Sequence, residues 1–247
     1  MNMDLENKVV VVTGASRGLG KALAIAFAKS GARVVANYRT NKEEALKTLN
    51  ELHKYNAENT MICADVTCDE DVSSMYSSVM KKYGRVDVLV NNAGINSDDY
   101  VNLMSKDKWD RVINTNLTGV FLCTRYFSKN MIKNRSGKII NIASLKGQLG
   151  SEGQANYAAS KAGVIGYSRS LAKELGEVGV SINVVCPGYI KTDLNCNNSY
   201  KNKIANQMSA MSTEYSLEDY INFTLFLASD QIRGVSGQVF NIDSRIM

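Results

Sequence analysis

Residues 9–20 read VVVVTGASRGLG, and this stretch decides the fold. The four valines, Val9–Val12, predict a β-strand that is buried on both faces, because β-branched residues favour strands and such a strand is apolar throughout. Three glycines, Gly14, Gly18 and Gly20, then lead into a stretch with helical spacing. A glycine-rich turn between a strand and a helix lets the backbone approach a pyrophosphate, which the free N–H groups at the helix N-terminus can bind. The alternative interpretation is a tight turn without a ligand.

The same alternation of strand and helix continues along the chain. Further strands are predicted at Arg33–Asn37, Thr60–Ala64, Val86–Val90, Lys138–Ala143, Val180–Cys186 and Gln238–Ile242. Helices are predicted at Leu19–Ser30, Lys42–Tyr55, Asp69–Tyr83, Lys106–Lys133 (one long helix or two abutting ones), Gln154–Gly176 and Ser216–Ser229. Apolar strands alternating with helices predict an α/β protein with a doubly wound parallel sheet, a Rossmann fold, in a single domain over residues 1–247.

One segment departs from this pattern. Residues 195–213 are rich in Asn, Ser, Lys and Met and show weak periodicity. Because long loops inside a compact domain are often functional, we predict a substrate lid at about residues 190–215, with a disordered insertion as the alternative.

Composition excludes several classes of function. The formal charge is +5, and the basic residues are scattered, so nucleic-acid binding is not favoured. Only one histidine, His53, accompanies five cysteines that show no CxxC spacing, so neither a metal site nor a disulfide framework is expected. No stretch approaches the roughly 20 apolar residues that cross a bilayer, and the N-terminus has acidic residues, so we expect a cytoplasmic protein without a membrane partner.

The end of the second strand predicts which dinucleotide is bound. A carboxylate at this place would bind the ribose hydroxyls of NAD, but the chain carries Asn37, Tyr38 and Arg39. Arg17, inside the glycine turn, adds a second positive charge, and two guanidinium groups suit the 2′-phosphate of NADP(H). NADP(H) is therefore the predicted cofactor, with a solvent-facing Arg39 and dual cofactor use as alternatives.

Polar and small residues end the next two strands. Asp65 and Val66 follow the third strand, and the Asp65 carboxylate could meet the adenine amino group or cap the next helix. Asn91–Gly94, which includes Asn92 and Ala93, ends the fourth strand and lets a dinucleotide cross the sheet edge, although a simple turn would look the same.

Two side chains on one helix face predict acid–base chemistry. Tyr157 and Lys161 are four residues apart and therefore share one face. An ammonium beside a phenol lowers the phenol pKa from its usual value near 10, so Tyr157 could exchange a proton with an alcohol oxygen. Ser144 ends the fifth strand and could bind the same oxygen or cap a turn. Asn116 lies in a helix, where it could hold a water near Lys161 or act as a satisfied core amide.

These motifs, taken in order, resemble the short-chain dehydrogenases/reductases over essentially the whole chain. The matching stretches are TGASRGLG, ADV (64–66), NNAG (91–94), NLTG (116–119), Ser144 with YxxxK (157–161) and PG (187–188). The resemblance implies an oxidoreductase with a catalytic tetrad of Asn116, Ser144, Tyr157 and Lys161. It implies a cofactor site made of Gly14, Ser16, Arg17, Gly18, Leu19, Gly20, Asn37, Tyr38, Arg39, Asp65, Val66, Asn92, Ala93, Gly94, Tyr157, Lys161, Pro187, Gly188, Ile190 and Thr192.

Within that family, GQANYAASKAGVIGYSRSLAKEL (153–175), IINIAS and PGYIKTD resemble the 3-oxoacyl-(acyl-carrier-protein) reductases of fatty acid synthesis. This resemblance implies NADPH, an acyl-carrier-protein-linked substrate and a homotetramer. The acidic carrier protein could dock on a basic face, which would consist of Arg135, Lys138, Arg169 and Lys173 unless these serve solubility only. An apolar face of Val164, Leu171 and Leu175 fits either a tetramer contact or the core of one subunit.

Three departures keep other substrates open. Asn96-Ser97 replace the usual Thr-Arg, Asp243-Ser244-Arg245 replace the usual Asn-Gly-Gly ending, and the lid lacks its usual pattern. The alternatives are a specialised ketoreductase of secondary metabolism and an NAD(P)-dependent sugar or polyol dehydrogenase, because NYR after the second strand also resembles some glucose dehydrogenases. A non-catalytic dinucleotide-binding regulator is a more remote alternative.

Overall fold

Seven strands form one parallel sheet in the computed structural model, which describes residues 3, 5–190, 207–211 and 216–245. The strands are β1 (Val9–Val12), β2 (Arg33–Tyr38), β3 (Thr60–Cys63), β4 (Val88–Asn91), β5 (Gly137–Ile142), β6 (Val180–Pro187) and β7 (Val239–Ile242). Their order in the sheet is β3-β2-β1-β4-β5-β6-β7, and every pairing is parallel. The chain changes direction across the sheet between β1 and β4, which is where doubly wound sheets bind ligands. The predicted fold is confirmed.

The helices follow the predicted order. They are α1 (Gly18–Lys29), α2 (Lys42–His53), α3 (Asp69–Tyr83), α4 (Lys106–Ile113), α5 (Gly119–Asn134), α6 (Lys146–Leu149), α7 (Ala155–Leu175) and α8 (Ser216–Ala228). A π-helical turn, Asn114–Thr118, separates α4 from α5, so the long predicted helix is two abutting ones. The four-residue helix α6 was not predicted, because it is too short to show a helical period.

The helices pack on both faces of the sheet and form two main apolar layers. Val9–Val12 are buried, and successive side chains of a strand point to opposite faces. The even-numbered valines therefore pack in the layer that contains Phe27 of α1, and the odd-numbered valines pack in the layer that contains Phe127 of α5. Burying each valine contributes roughly 1.5–3 kcal/mol to folding. The strand that precedes the glycine turn is thus held from both sides.

Much of the predicted lid lies outside the described residues. Within it, residues 207–211 lie against the end of the chain: Ser209 forms an antiparallel bridge with Arg245, and the Ala210 N–H donates to the Ser244 carbonyl at 2.8 Å. No helix among the described residues is long and apolar enough to span a membrane. The same residues contain no cluster of three or more His, Cys, Asp or Glu side chains that could hold a metal ion.

The structure corrects the predicted basic docking face at Lys138. Its ammonium is half-buried and donates to the carbonyls of Leu227, Ser229 and Ile232, at 3.3, 2.6 and 2.5 Å. These carbonyls lie at and just after the C-terminus of α8, where helix carbonyls lack helical partners and attract a cation. Lys138 is therefore structural. Arg169 and Lys173 are exposed, as a docking face requires.

The apolar face on α7 belongs to the subunit's own core. Val164 is fully buried, and Leu171 and Leu175 are half-buried against the layer that contains Phe127. Of the two alternatives, the structure therefore supports core packing for these three residues.

Candidate functional site

The turn between β1 and α1 requires glycine at defined positions. Gly14 and Gly18 have φ values of +63° and +56°, a left-handed conformation that side chains disfavour. A Cβ atom at Gly14 would lie 2.8 Å from the Ala93 Cα, and one at Gly20 would lie 2.3 Å from the Gly14 carbonyl oxygen. A Cβ atom at Gly18 would meet nothing within 4 Å, so this part of the turn faces open space.

Two amide side chains and a hydroxyl group hold the turn in place. Asn37 is buried; its Oδ1 accepts from the Gly14 N–H at 3.2 Å and its Nδ2 donates to the Ala64 carbonyl at 2.9 Å. Asn92 Nδ2 donates to the Thr13 carbonyl at 2.9 Å, and Thr13 Oγ1 accepts from the Asn92 N–H at 3.0 Å. Asn37, expected to contact the cofactor, thus has its amide engaged within the protein and positions the turn. Sequence reasoning missed Thr13, whose only signal is a polar residue directly after four valines.

The N-terminus of α1 fits a pyrophosphate. Its N-cap residue, Arg17, makes no side-chain capping hydrogen bond, and the first turn holds no acidic residue. The first N–H groups of the helix therefore lack a side-chain acceptor and carry partial positive charge, which Arg17 reinforces. Ser16 and Leu19 are half-buried beside this turn, and the Ser16 carbonyl accepts from Thr48 Oγ1 at 2.9 Å.

The end of β2 is followed by an exposed arginine, Arg39, and carries no acidic residue. The Arg39 side chain is 51% exposed, and its Nη1 lies 3.7 Å from Asp65 Oδ2. The other oxygen of Asp65 accepts from the N–H and hydroxyl of Thr67, at 2.9 and 2.8 Å. The Asp65 carboxylate therefore both stabilises the turn after β3 and faces Arg39, while Tyr38 is half-buried at the end of β2. An exposed ion pair of this length stabilises the protein little, so Arg39 remains available to another anion.

A hollow at the edge of the sheet connects these strand ends. It is narrow and is lined by Thr13, Val66, Asn91, Ala93, Thr115, Gly119 and Val120. Gly94 continues the lining towards the predicted catalytic residues: a Cβ atom there would lie 3.3 Å from Asn116 Oδ1 and 3.6 Å from Lys161 Nζ. Gly94 therefore lies beside two residues of the predicted tetrad, at the same sheet edge as the ends of β1, β3 and β4.

Tyr157 and Lys161 face each other on α7. The Lys161 ammonium lies 5.7 Å from the centre of the Tyr157 ring and donates to the Ile142 carbonyl at 2.8 Å. Lys161 is 4% exposed, and burial lowers its pKa to about 8, because a charged amine loses its hydration there. An amine with such a pKa can gain or lose a proton near neutral pH.

The expected lowering of the Tyr157 pKa is wrong in this structure. Burial of the phenol is the largest effect and raises its pKa, and a hydrogen bond with Ser144 opposes this only in part. Lys161 does not offset the burial, since its ammonium is bound to the Ile142 carbonyl and is itself destabilised as a cation. Tyr157 is therefore a protonated phenol at neutral pH, a form that can donate a proton.

Asn116 lies in the π-helical turn, fully buried. Its Oδ1 accepts from the Ile95 N–H at 2.8 Å, and its Nδ2 donates to the Ile95 carbonyl at 2.9 Å and to Ser160 Oγ at 3.1 Å. The interpretation as a satisfied core amide is confirmed. Its side chain fixes the segment after β4 beside Lys161.

The end of β6 closes the crevice on its far side. Pro187 is its last residue, and the Gly188 N–H donates to the Ile242 carbonyl at 2.8 Å. A Cβ atom at Gly188 would lie 2.8 Å from Asp243 Cγ, so glycine is needed for this approach. Ile190 is buried, and the predicted residue Thr192 lies outside the described residues. Sequence reasoning also missed Asp98, Gln154 and Asn156, which bind the loop after β4 to α7.

Comparison with known proteins agrees with this geometry. The family model described as short chain dehydrogenase matches residues 8–203. A 3-oxoacyl-(acyl-carrier-protein) reductase from Synechocystis is 42% identical over 240 residues, which cover 97% of this chain and 96% of the relative. Reductases with the same name from Staphylococcus epidermidis and Staphylococcus aureus are each 39% identical, over 96% of this chain and 98% and 96% of their own lengths. The chain belongs to the short-chain dehydrogenase/reductase family, which consists of oxidoreductases that act on CH–OH and C=O groups.

Proposed function

We propose that this protein reduces the 3-oxo group of an acyl chain carried as a thioester on acyl-carrier protein, using NADPH, and releases the 3-hydroxyacyl product. The observation that carries the proposal is the protonated phenol of Tyr157, which is hydrogen-bonded to Ser144 and faces Lys161 in the crevice at the carboxyl edge of the sheet. Relatives that match almost the whole chain carry the name of this reductase, which supports the substrate class.

The chain's own residues provide the proton chemistry. When bound, a reduced nicotinamide supplies the hydride that a carbonyl carbon accepts. Ser144 donates a hydrogen bond to the substrate oxygen, and Tyr157 transfers its phenolic proton to that oxygen as negative charge develops. Lys161, with a pKa of about 8, then returns a proton to the phenolate. Asn116 keeps the loop after β4 beside these groups.

The cofactor is proposed to lie along the edge formed by the ends of β1 to β4 and β6. The turn from Gly14 to Gly20 would receive the pyrophosphate, Val66 and Ala93 would line the adenosine half, and Pro187 to Ile190 would line the nicotinamide. Arg17 and Arg39 are exposed cations at the place where a 2′-phosphate would lie, which supports NADP(H).

A homotetramer is proposed as well. Three large apolar side chains on α4 and α5 remain exposed: Trp109 at 39%, Phe121 at 41% and Ile132 at 38%. The Phe121 ring also contacts the Tyr167 ring of α7, with centres 6.3 Å apart, so an aromatic surface crosses from α5 to α7. Such a surface would be covered if these helices packed against symmetry mates.

The substrate proposal is tested by measuring NADPH oxidation with a purified 3-oxoacyl-(acyl-carrier-protein) thioester. The expected result is turnover that yields the 3-hydroxyacyl thioester, together with no reduction of NAD(P)⁺ in the presence of glucose. Activity with glucose and none with the thioester would replace the proposal by the sugar dehydrogenase alternative.

Replacing Arg39 by Ala is expected to raise the Kd for NADPH by roughly ten- to a hundredfold, because a hydrogen bond to a charged group contributes about 1.5–3 kcal/mol. The Kd for NADH should stay within about twofold. The matched control is Arg33→Ala, at the opposite end of β2, where Arg33 pairs with Glu58 at 2.9 Å. Fluorescence titration with both dinucleotides measures the effect. An equal loss for NADH and NADPH would contradict the role of Arg39 in recognising the phosphate.

A further inference from the structure

Hydrogen bonds tie the segment after β4 to the start of α7, the helix that carries Tyr157. We call these bonds the clasp. They join Asn156 Nδ2 to the Ser97 carbonyl at 3.0 Å, Gln154 Nε2 to Asp98 Oδ1 at 2.7 Å, and the Asp99 N–H to the Gly153 carbonyl at 2.8 Å. Three consecutive residues of the loop thus contact three of the four residues directly before Tyr157. The clasp therefore controls where α7 begins.

Within the clasp, the Gln154 side chain is buried between two charged partners. Gln154 is the N-cap residue of α7 and is 6% exposed. Both ends of its amide are used, since its Oε1 accepts from the Lys146 ammonium and its Nε2 donates to Asp98. A buried amide that loses one hydrogen-bond partner destabilises the fold. The bond to Asp98 therefore holds the Gln154 side chain in one orientation. Asn156 extends the same arrangement, because its Oδ1 accepts from the Tyr157 N–H at 2.7 Å.

The carboxylates of Asp98 and Asp99 have different partners. The Asp99 carboxylate is paired with Lys108 at 2.6 Å. Burial raises the pKa of Tyr157 most, a hydrogen bond with Ser144 lowers it, and Cys186 and then, as the smallest effect, the charge of Asp98 raise it. The other groups that face the phenol are Ser144 from the end of β5, the Cys186 thiol from β6 and Lys161 from α7. Asp98 is therefore the carboxylate of the loop after β4 that opposes the phenolate.

We propose that Asp98 is a positioning residue for Tyr157: its hydrogen bond orients Gln154, the N-cap residue of α7, and it is the carboxylate of the loop after β4 that the phenol faces. The proposal rests on the proposed function, in which Tyr157 donates the proton. The charge of Asp98 acts in the same direction as burial, which keeps the phenol in the form that donates a proton.

Three variants separate the two parts of this role. Asp98→Asn keeps an oxygen that can accept from Gln154 but removes the charge. Asp98→Ala removes both. Asp99→Asn is the matched control, because it removes the same charge at the next position and leaves the backbone hydrogen bond to Gly153 in place. Both positions lie in a loop that is partly exposed, so the variants are expected to fold.

The decisive measurement is an ultraviolet titration of tyrosinate at low ionic strength, taken as the difference between each protein and the same protein with Tyr157→Phe. This difference reports the titration of Tyr157 without any turnover. The midpoint in Asp98→Asn is expected to fall by roughly half a pH unit, less than the 1–3 units of a contact pair, because Asp98 is exposed and more distant. The Asp99→Asn midpoint should stay unchanged.

Kinetics test the positioning part. In Asp98→Ala, kcat for the 3-oxoacyl thioester is expected to fall by roughly tenfold, and the Kd for NADPH should stay unchanged. At a pH below the Tyr157 titration midpoint, Asp98→Asn should retain most of the wild-type kcat. An unshifted titration in Asp98→Asn, or a kcat in Asp98→Ala equal to that of the wild type, would overturn the proposal. Absence of turnover in the wild type would instead overturn the proposed function, since the titration does not depend on it.

Discussion

Replacing Tyr157 by Phe will lower kcat for reduction of the 3-oxoacyl thioester by roughly a thousandfold, within the 10²–10⁴ range of general acid catalysis. Phe keeps the ring, its burial and its packing but removes the phenolic proton next to Ser144. The Kd for NADPH is expected to change by less than about threefold, because the glycine turn and Arg39 lie at other strand ends. Single-turnover kinetics and fluorescence titration measure the two quantities.

The matched control for this variant is Tyr220→Phe. Tyr220 of α8 is fully buried, and its hydroxyl has no hydrogen-bond partner among the described residues. This variant also removes one phenolic oxygen, but from α8 and from the apolar layer that contains Phe27. We expect kcat to stay unchanged and the free energy of unfolding to rise by about 1 kcal/mol, because an unsatisfied buried hydroxyl is costly. A Tyr157→Phe protein with a kcat near that of the wild type would refute the role of the phenol.

Replacing Lys161 by Met is expected to lower kcat by at least about a hundredfold and yet to stabilise the folded protein at pH 7. The pKa of Lys161 is about 8 in the fold, below its value of roughly 10.5 in the unfolded chain. The folded state therefore disfavours the ammonium, and this cost is fully present below pH 8 and disappears as the pH rises towards 10.5. Met has a similar length and no charge, so the gain is on the order of 1–2 kcal/mol after loss of the bond to Ile142.

Chemical unfolding at several pH values measures the free energy of unfolding of Lys161→Met and of the wild type. The advantage of Lys161→Met over the wild type should shrink between pH 8 and pH 10. Lys81→Met, which removes an exposed lysine of α3, should change neither stability nor kcat. A less stable Lys161→Met protein, or one whose advantage does not depend on pH, would show that Lys161 is not strained by burial.

Local sequence patterns predict most of the fold. Val9–Val12, followed by the glycines of the turn, specify a buried strand and a close backbone approach without any knowledge of distant residues. Asp69–Tyr83 has the predicted bounds, because charged residues at its start and Gly84 at its end mark both helix ends. The spacing of Tyr157 and Lys161 likewise requires only the helical period. These features are readable because their causes lie within a few residues.

The remaining features depend on contacts between distant parts of the chain. Asp98 and Gln154 are 56 residues apart, and Lys138 and Ser229 are 91 apart, so nothing local reveals that they meet. The rise of the Tyr157 pKa has the same origin. Sequence spacing places an ammonium nearby, but burial, which the fold alone determines, outweighs it.

A crystal structure of the protein with NADP⁺ tests the central claim most directly, namely that one crevice brings the cofactor, Tyr157 and Lys161 together. We predict the pyrophosphate at Gly14–Gly20, the 2′-phosphate against Arg39, and the nicotinamide beside the Tyr157 hydroxyl. A dinucleotide bound elsewhere, or a nicotinamide separated from that hydroxyl by the protein, would contradict the account.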